Sequence, residues 1–226
     1  MRKMNIAIDG PAGAGKSTVA HLTADRLDFK YIDTGAMYRA VTWKVLEQQI
    51  PLHEHERIAH IADTMELVLE TTDKGTKVYV DGKDVTEEIR SERVTANVSE
   101  VAKLARVREV LVNKQKQMAA GGGTVMDGRD IGTNVLPDAE VKVFLTASIA
   151  ERARRRFLEL KAKGIDTDLE KLSREIAARD ELDESRSVAP LKKAPDAVIV
   201  DTTGLSIEQV VEKILALSRT KIGGLG

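Results

Sequence analysis

Met4-Asn5-Ile6-Ala7-Ile8-Asp9 runs directly into Gly10-Pro11-Ala12-Gly13-Ala14-Gly15-Lys16-Ser17. The second stretch fits G-x-x-x-x-G-K-[ST], the loop by which nucleoside-triphosphate enzymes cradle phosphates. Ile6, Ala7 and Ile8 read as a buried strand. Residues 17–27 read as a helix with Val19, Ala20, Thr23, Ala24 and Leu27 as its inward stripe. A loop between strand and helix aims successive backbone N–H groups, and the positive end of the helix dipole, at one point. That point binds an anion. Gly13 and Gly15 lack a Cβ, so the backbone can close around phosphate oxygens there. Lys16 is placed to reach the β- and γ-phosphates, and Ser17 to offer its hydroxyl to Mg²⁺. The expected donor-phosphate segment is Gly10, Pro11, Ala12, Gly13, Ala14, Gly15, Lys16, Ser17 and Thr18.

Outward from this loop, short apolar runs at 30–33, 124–127, 141–145 and 197–201 read as further strands. Helical patterns at 36–49, 94–119, 149–163, 169–183 and 206–217 separate them. Strands alternating with helices specify a parallel sheet covered on both faces. The expected fold is a three-layer α/β P-loop fold with a five-stranded parallel sheet. Ligands of such sheets collect at the carboxyl ends of the strands, which here carry Asp9, Asp33 and Asp127.

Residues 63–99 break the rhythm. Two alternating runs flank a turn-rich segment, and Asp81-Gly82 signals a tight turn. This predicts a small antiparallel insert with its own short helix after Val85, too small to bury much core alone and therefore mobile against the main domain. The core is expected at 1–62 and 100–226, with a short lid around 151–164 and a fraying tail from Lys221 to Gly226. Of 226 residues, 42% are hydrophobic and 31% charged, with a net charge of −1, so no basic field points to nucleic acid. The absence of cysteine excludes disulfides, thiolate metal sites and thiol catalysis. No run is long enough to span a membrane. A cytoplasmic protein acting as a monomer on small molecules is expected. His53, His55 and His60 are read as surface residues, since their spacing lacks the pattern of hydrolytic zinc sites.

Four constellations could complete a site. Thr34 sits where a helix N-cap belongs and Arg39 follows on that helix, so a second anion could bind between them. Asp127 ends a strand in the position of an acid that holds Mg²⁺, through water, and Arg129 and Asp130 follow it. Arg152 lies one helical turn from Arg155 and Arg156, placing like charges on one face. Arg179, Asp183 and Arg186 are spaced i, i+4, i+7 and share a helical face.

Together these residues resemble the bacterial cytidylate kinases. The likeness includes Gly10 to Thr18, Asp33 to Arg39, Ala105-Arg-Val-Arg-Glu109, Asp127 to Gly132, and Arg179 through Leu191. The insert's Gly82-Lys-Asp-Val-Thr-Glu-Glu-Ile-Arg90 is similar to that family's monophosphate-binding insert. The resemblance implies transfer of the ATP γ-phosphoryl group to CMP or dCMP with Mg²⁺. It assigns Thr34, Arg39 and Arg129 to the acceptor phosphate. Ser99, Arg108, Asp130 and Arg186 would address cytosine, and Arg179 with Asp183 the sugar. Many relatives have Ser in place of Thr34; either hydroxyl can donate.

The chemistry agrees with that assignment. Cytosine presents a donor at N4 and acceptors at N3 and O2, which a carboxylate beside guanidinium groups can read. Uracil reverses the polarity at positions 3 and 4, and a site built on such bonds rejects it. Phosphoryl transfer needs positioning and charge neutralisation rather than a strong base. Lys16, Arg129, Arg152, Arg155 and Arg156 are the candidates for spreading γ-phosphate charge. Other small P-loop kinases should lack both the insert and the Arg-Asp-x-x-Asp-x-x-Arg face. A GTP-dependent switch should carry Asn-Lys-x-Asp, and the near string Asn113-Lys-Gln-Lys116 lacks the acid.

Overall fold

Asn5–Asp9 (β1) is buried at every residue, as expected of a central parallel strand covered on both faces. The computed structural model describes residues 4–72, 75–162 and 164–223. Lys16–Leu27 (α1) follows the loop, entered through Gly15 at φ 87° and left through Asp28 in the left-handed region. Val19, Ala20, Thr23 and Ala24 are buried as the periodicity requires, while Leu27 is only partly so. Lys30–Asp33 (β2) leads into Thr34–Glu47 (α2). Among the described residues, Thr124–Gly128 (β6), Val141–Thr146 (β7) and Val198–Asp201 (β8) complete a parallel sheet in the order β2-β6-β1-β7-β8. The register is tight: Ile8 faces Asp127 on one side and Val143 on the other. The three-layer α/β expectation therefore holds.

His55–Thr64 (α3) is a helix absent from the sequence reading; Ile58, Ala59, Ile61 and Ala62 form its buried stripe. The insert comprises Leu67–Thr72 (β3), Gly75–Val80 (β4) and Lys83–Asp84 (β5), antiparallel in that order. Asp73 and Lys74, in the expected turn, lie outside the described residues. Val78, Val80, Val85 and Ile89 are buried in one cluster with Met37 and Val41 of α2, so the insert leans on the main domain.

The expected helix at 94–119 is two helices, Glu92–Ala102 (α4) and Ala105–Ala119 (α5). Leu104 between them is extended, at ψ 117°. Each helix buries its own stripe, Val94, Val98 and Val101 on the first and Val107, Leu111 and Val112 on the second. Val98 and Val101 of the first and Val107 and Leu111 of the second enter one core cluster. Ile149–Ala162 (α6) packs against Leu169–Glu184 (α7) through Ala153, Leu172 and Ile176. Ile207–Gly223 (α8) extends beyond the helix expected at 206–217. Residues 224–226 of the tail, and residue 163 of the expected lid, lie outside the described residues.

Candidate active site

The loop after β1 has the close packing that its glycines imply. A Cβ on Gly10, at φ 147°, would stand 2.1 Å from the Leu145 carbonyl oxygen. On Gly13 it would meet Arg152 Cβ at 3.2 Å. Lys16 is buried, and its Nζ donates to the Pro11 carbonyl at 2.7 Å. Ser17 and Thr18 are exposed at the loop's mouth. Ser17 Oγ donates to Asp127 at 3.1 Å, and Tyr31 donates to the other Asp127 oxygen at 2.8 Å. Burial, then the nearby Asp33 carboxylate, push the Asp127 carboxyl well above its ordinary range. A hydroxyl beside a carboxylate is a hard-oxygen set that suits Mg²⁺.

Asp33, rather than Thr34, caps α2: its side chain accepts the Ala36 N–H at 2.9 Å. Thr34 begins the helix, and its hydroxyl donates to the Asp127 carbonyl at 2.6 Å, tying the ends of β2 and β6 together. Arg39 reaches towards the insert, donating to the Ile89 carbonyl at 3.1 Å and the Thr95 hydroxyl at 2.9 Å. Arg90 of the insert lies 3.9 Å from Asp33.

Arg129 and Asp130 do not pair with each other. Arg129 donates to Asp183 at 2.7 Å, and buried Asp130 accepts from buried Arg108 at 2.5 Å and from Asn134 at 3.0 Å. Asp183 also accepts from Arg186. Since α7 ends at Glu184, Arg186 lies beyond the helix, and the expected single helical face holds only for Arg179 and Asp183. Tyr38 lies 5.4 Å below the Arg108 guanidinium. Ser99 is half-buried on α4, the helix that also carries Thr95. A π-turn at Ile131–Val135 redirects the chain after Asp130, and Asp9 accepts both the Ile131 and Gly132 N–H groups at 2.8 Å.

The three arginines expected to spread charge separate. Arg152 is buried and donates to the Ala147 and Ala12 carbonyls at 3.0 Å and to Asp180 at 2.6 Å. Arg155 donates to Glu151 at 2.9 Å and to the Thr202 carbonyl at 2.7 Å. Arg156, more exposed, pairs with Glu159 at 2.9 Å.

Several cations lie close enough at the centre to act on one another. Burial, then the charges of Arg129 and Arg179, hold Lys16 far below the usual lysine range. Arg39 is brought down to about 10 by burial, with Arg90, Arg129 and Arg156 acting in the same direction. Arg179 falls to about 9 through burial, then Arg129 and Arg39. The Arg129 charge acts in that direction on all three. An anion of high charge placed among them would relieve all of them at once.

The family model described as Cytidylate kinase matches residues 6–220. A cytidylate kinase from Geobacillus thermodenitrificans (strain NG80-2) is 54% identical over 222 residues, 98% of this chain and 99% of its own. Another, from Bacillus subtilis (strain 168), is 53% identical over 214 residues, 95% and 96% of the two chains. The chain belongs to the cytidylate kinase family. A gluconokinase structure from Sinorhizobium meliloti 1021 aligns with 99% of this chain and 96% of its own at 16% identity and TM-score 0.49, too loose a likeness to carry an argument.

Several residues of this kinase's site escaped the sequence reading. Tyr31 holds Asp127, Thr95 holds Arg39, Asp180 holds Arg152 and Thr202 holds Arg155. Only Asp180 carried a signal, as the acid beside Arg179; the others come from elements distant in sequence.

Proposed function

We propose that this kinase transfers the γ-phosphoryl group of ATP to CMP or dCMP, giving ADP and CDP or dCDP. The observation that carries this reading is that buried Lys16 lies in a Gly-rich loop after one strand, with Ser17 on Asp127, while Arg129, on Asp183, follows the neighbouring strand, a set of cations that calls for negative charge. Two phosphate-bearing ligands meeting end to end would supply that charge. The loop from Gly10 to Thr18 takes the donor phosphates, and Ser17 and Asp127, already hydrogen-bonded to each other, would hold Mg²⁺ there. Bound Mg²⁺ would neutralise charge on the donor's β- and γ-oxygens.

On the acceptor side, Thr34, Arg39 and Arg129 hold the CMP phosphate in line with the donor. That phosphate carries most of its second negative charge at neutral pH. Its oxygen is already a nucleophile, and no residue has to remove a proton. Arg179 and Asp183 address the sugar, while Asp130, Arg108, Arg186 and Ser99 address cytosine. The Arg108–Asp130 pair supports this role, because a buried carboxylate held by a guanidinium presents an acceptor beside a donor. Lys16, Arg129 and the lid arginines Arg152, Arg155 and Arg156 spread the charge of the transferring group. Removing such an arginine costs about 10³–10⁵-fold in rate in related chemistry. Residues 63–99 close over CMP, and the segment around 151–164 closes over ATP.

The test is ADP release measured with CMP, dCMP, UMP and AMP as acceptors, for the parent and for Asp130→Ala. CMP and dCMP should be preferred by the parent. The variant should lose about 100-fold or more of the CMP-over-UMP preference in kcat/KM. An unchanged preference would remove Asp130 from the base-reading role.

A further inference from the structure

Arg152 occupies an unusual place for a residue of a segment proposed to close over ATP. It lies in the first turn of α6, yet its side chain is buried beneath the phosphate loop. Its Nη1 donates to the Ala12 carbonyl, and its own Cβ and Cγ fill the space beside Gly13, 3.2 and 3.6 Å from where a Cβ would stand. The loop rests on the stem of this arginine. A buried guanidinium needs a counter-charge, and the nearest is Asp180 at 2.6 Å, itself only 14% exposed in its side chain.

The Asp180 side chain has one partner among the described residues. Its Oδ2 receives Arg152, while Oδ1 is buried without a hydrogen-bond partner among the described residues. A carboxylate that served mainly to knit α7 into the fold would have both oxygens engaged. Instead it spends one oxygen on one arginine. Its neighbour in sequence, Arg179, stands among the acceptor-side cations. Adjacent residues of α7 therefore face the two halves of the site.

We propose that Asp180 is a positioning residue for the donor half. By holding Arg152 against the Ala12 carbonyl, it sets the shape of the phosphate loop before the nucleotide arrives. Arg152 keeps two of its five N–H groups without a partner among the described residues, so the brace leaves donors for a phosphate. This proposal rests on reading Gly10 to Thr18 as the donor loop.

Asp180→Asn keeps the shape and removes the charge. It should weaken MgADP binding, measured by calorimetry, by about tenfold and raise KM for ATP to match. KM for CMP should stay within about twofold, a split that general loosening of the fold would not produce. Asp180→Asn combined with Arg152→Met should bind MgADP no more weakly than Arg152→Met alone, because the two residues act as one unit. Additive losses, or a loss confined to KM for CMP, would overturn the assignment. So would unfolding of Asp180→Asn by circular dichroism, whether or not Arg152→Met shares it, since the bridge would then carry the fold rather than the loop. Lys16→Met separates the two readings. If it binds MgADP normally, the donor-loop reading fails and the Asp180 assignment falls with it; a loss in Lys16→Met without one in Asp180→Asn overturns the Asp180 assignment alone.

Discussion

Asp9 shows how little of a residue's task is written beside it in sequence. It ends the strand that feeds the phosphate loop, but its carboxylate accepts two N–H groups from the far side of the site. Those bonds favour the charged form, yet burial outweighs them and raises its pKa from 3.8 to about 6. Between these values the native state holds a proton that the unfolded chain has released. Asp9 therefore makes stability fall as pH rises from about 4 to about 6, with no further change above, a difference of about 3 kcal/mol. Urea unfolding at pH 4, 5, 6 and 7 should show a flatter pH dependence for Asp9→Asn than for the parent, whatever the variant's absolute stability. The charged motifs were similarly legible as residues but not as pairs. Arg129 finds Asp183 across the fold and not Asp130 beside it. Helical spacing says which side chains share a face and leaves open what lies opposite.

At the scale of elements, the parallel strands and their helices were readable because buried strands are apolar throughout and their ends are marked by Asp and Gly. The failures have physical causes. Val94 to Ala119 keeps helical periodicity across Leu104, and because both stripes enter the same core cluster the apolar pattern carries no mark of the extended residue between them. The cap of α2 shifted by one place, to Asp33, because the Thr34 hydroxyl is taken by the Asp127 carbonyl. That link between β2 and β6 passes directly over Gly128. A Cβ there would stand 2.7 Å from Thr34 Oγ1 and 2.6 Å from Ile131 Cδ1. Gly128→Ala should destabilise the protein by about 1–3 kcal/mol in urea unfolding, the usual cost of overfilling a packed site. It should also raise KM for CMP more than KM for ATP, since the displaced hydroxyl belongs to Thr34, proposed to hold the acceptor phosphate.

Taken whole, the molecule joins a packed sheet to an insert anchored through α2. Arg39 is the link: it belongs to a core helix, and its hydrogen bonds go to Ile89 and Thr95 of the insert. A ligand phosphate that draws on Arg39 therefore acts on the insert as well. Hydrogen exchange should slow across residues 67–99 on adding CMP, and slow less in Thr95→Val. Equal protection with and without CMP would count against closure.

The sheet order has a consequence for synthesis. β1 is made first, but its partners are β6 and β7, and the Asn5–Thr124 side-chain bond spans 119 residues. At ordinary translation speeds of about 5–20 residues per second, the strand bearing the phosphate loop waits on the order of ten seconds for its first neighbour. Throughout that interval Ile6, Ala7 and Ile8 lack their native sheet neighbours, so the nascent chain is most open to chaperone capture or mispairing at this strand. Nucleotide can stabilise the loop only after the ribosome has delivered the middle of the protein.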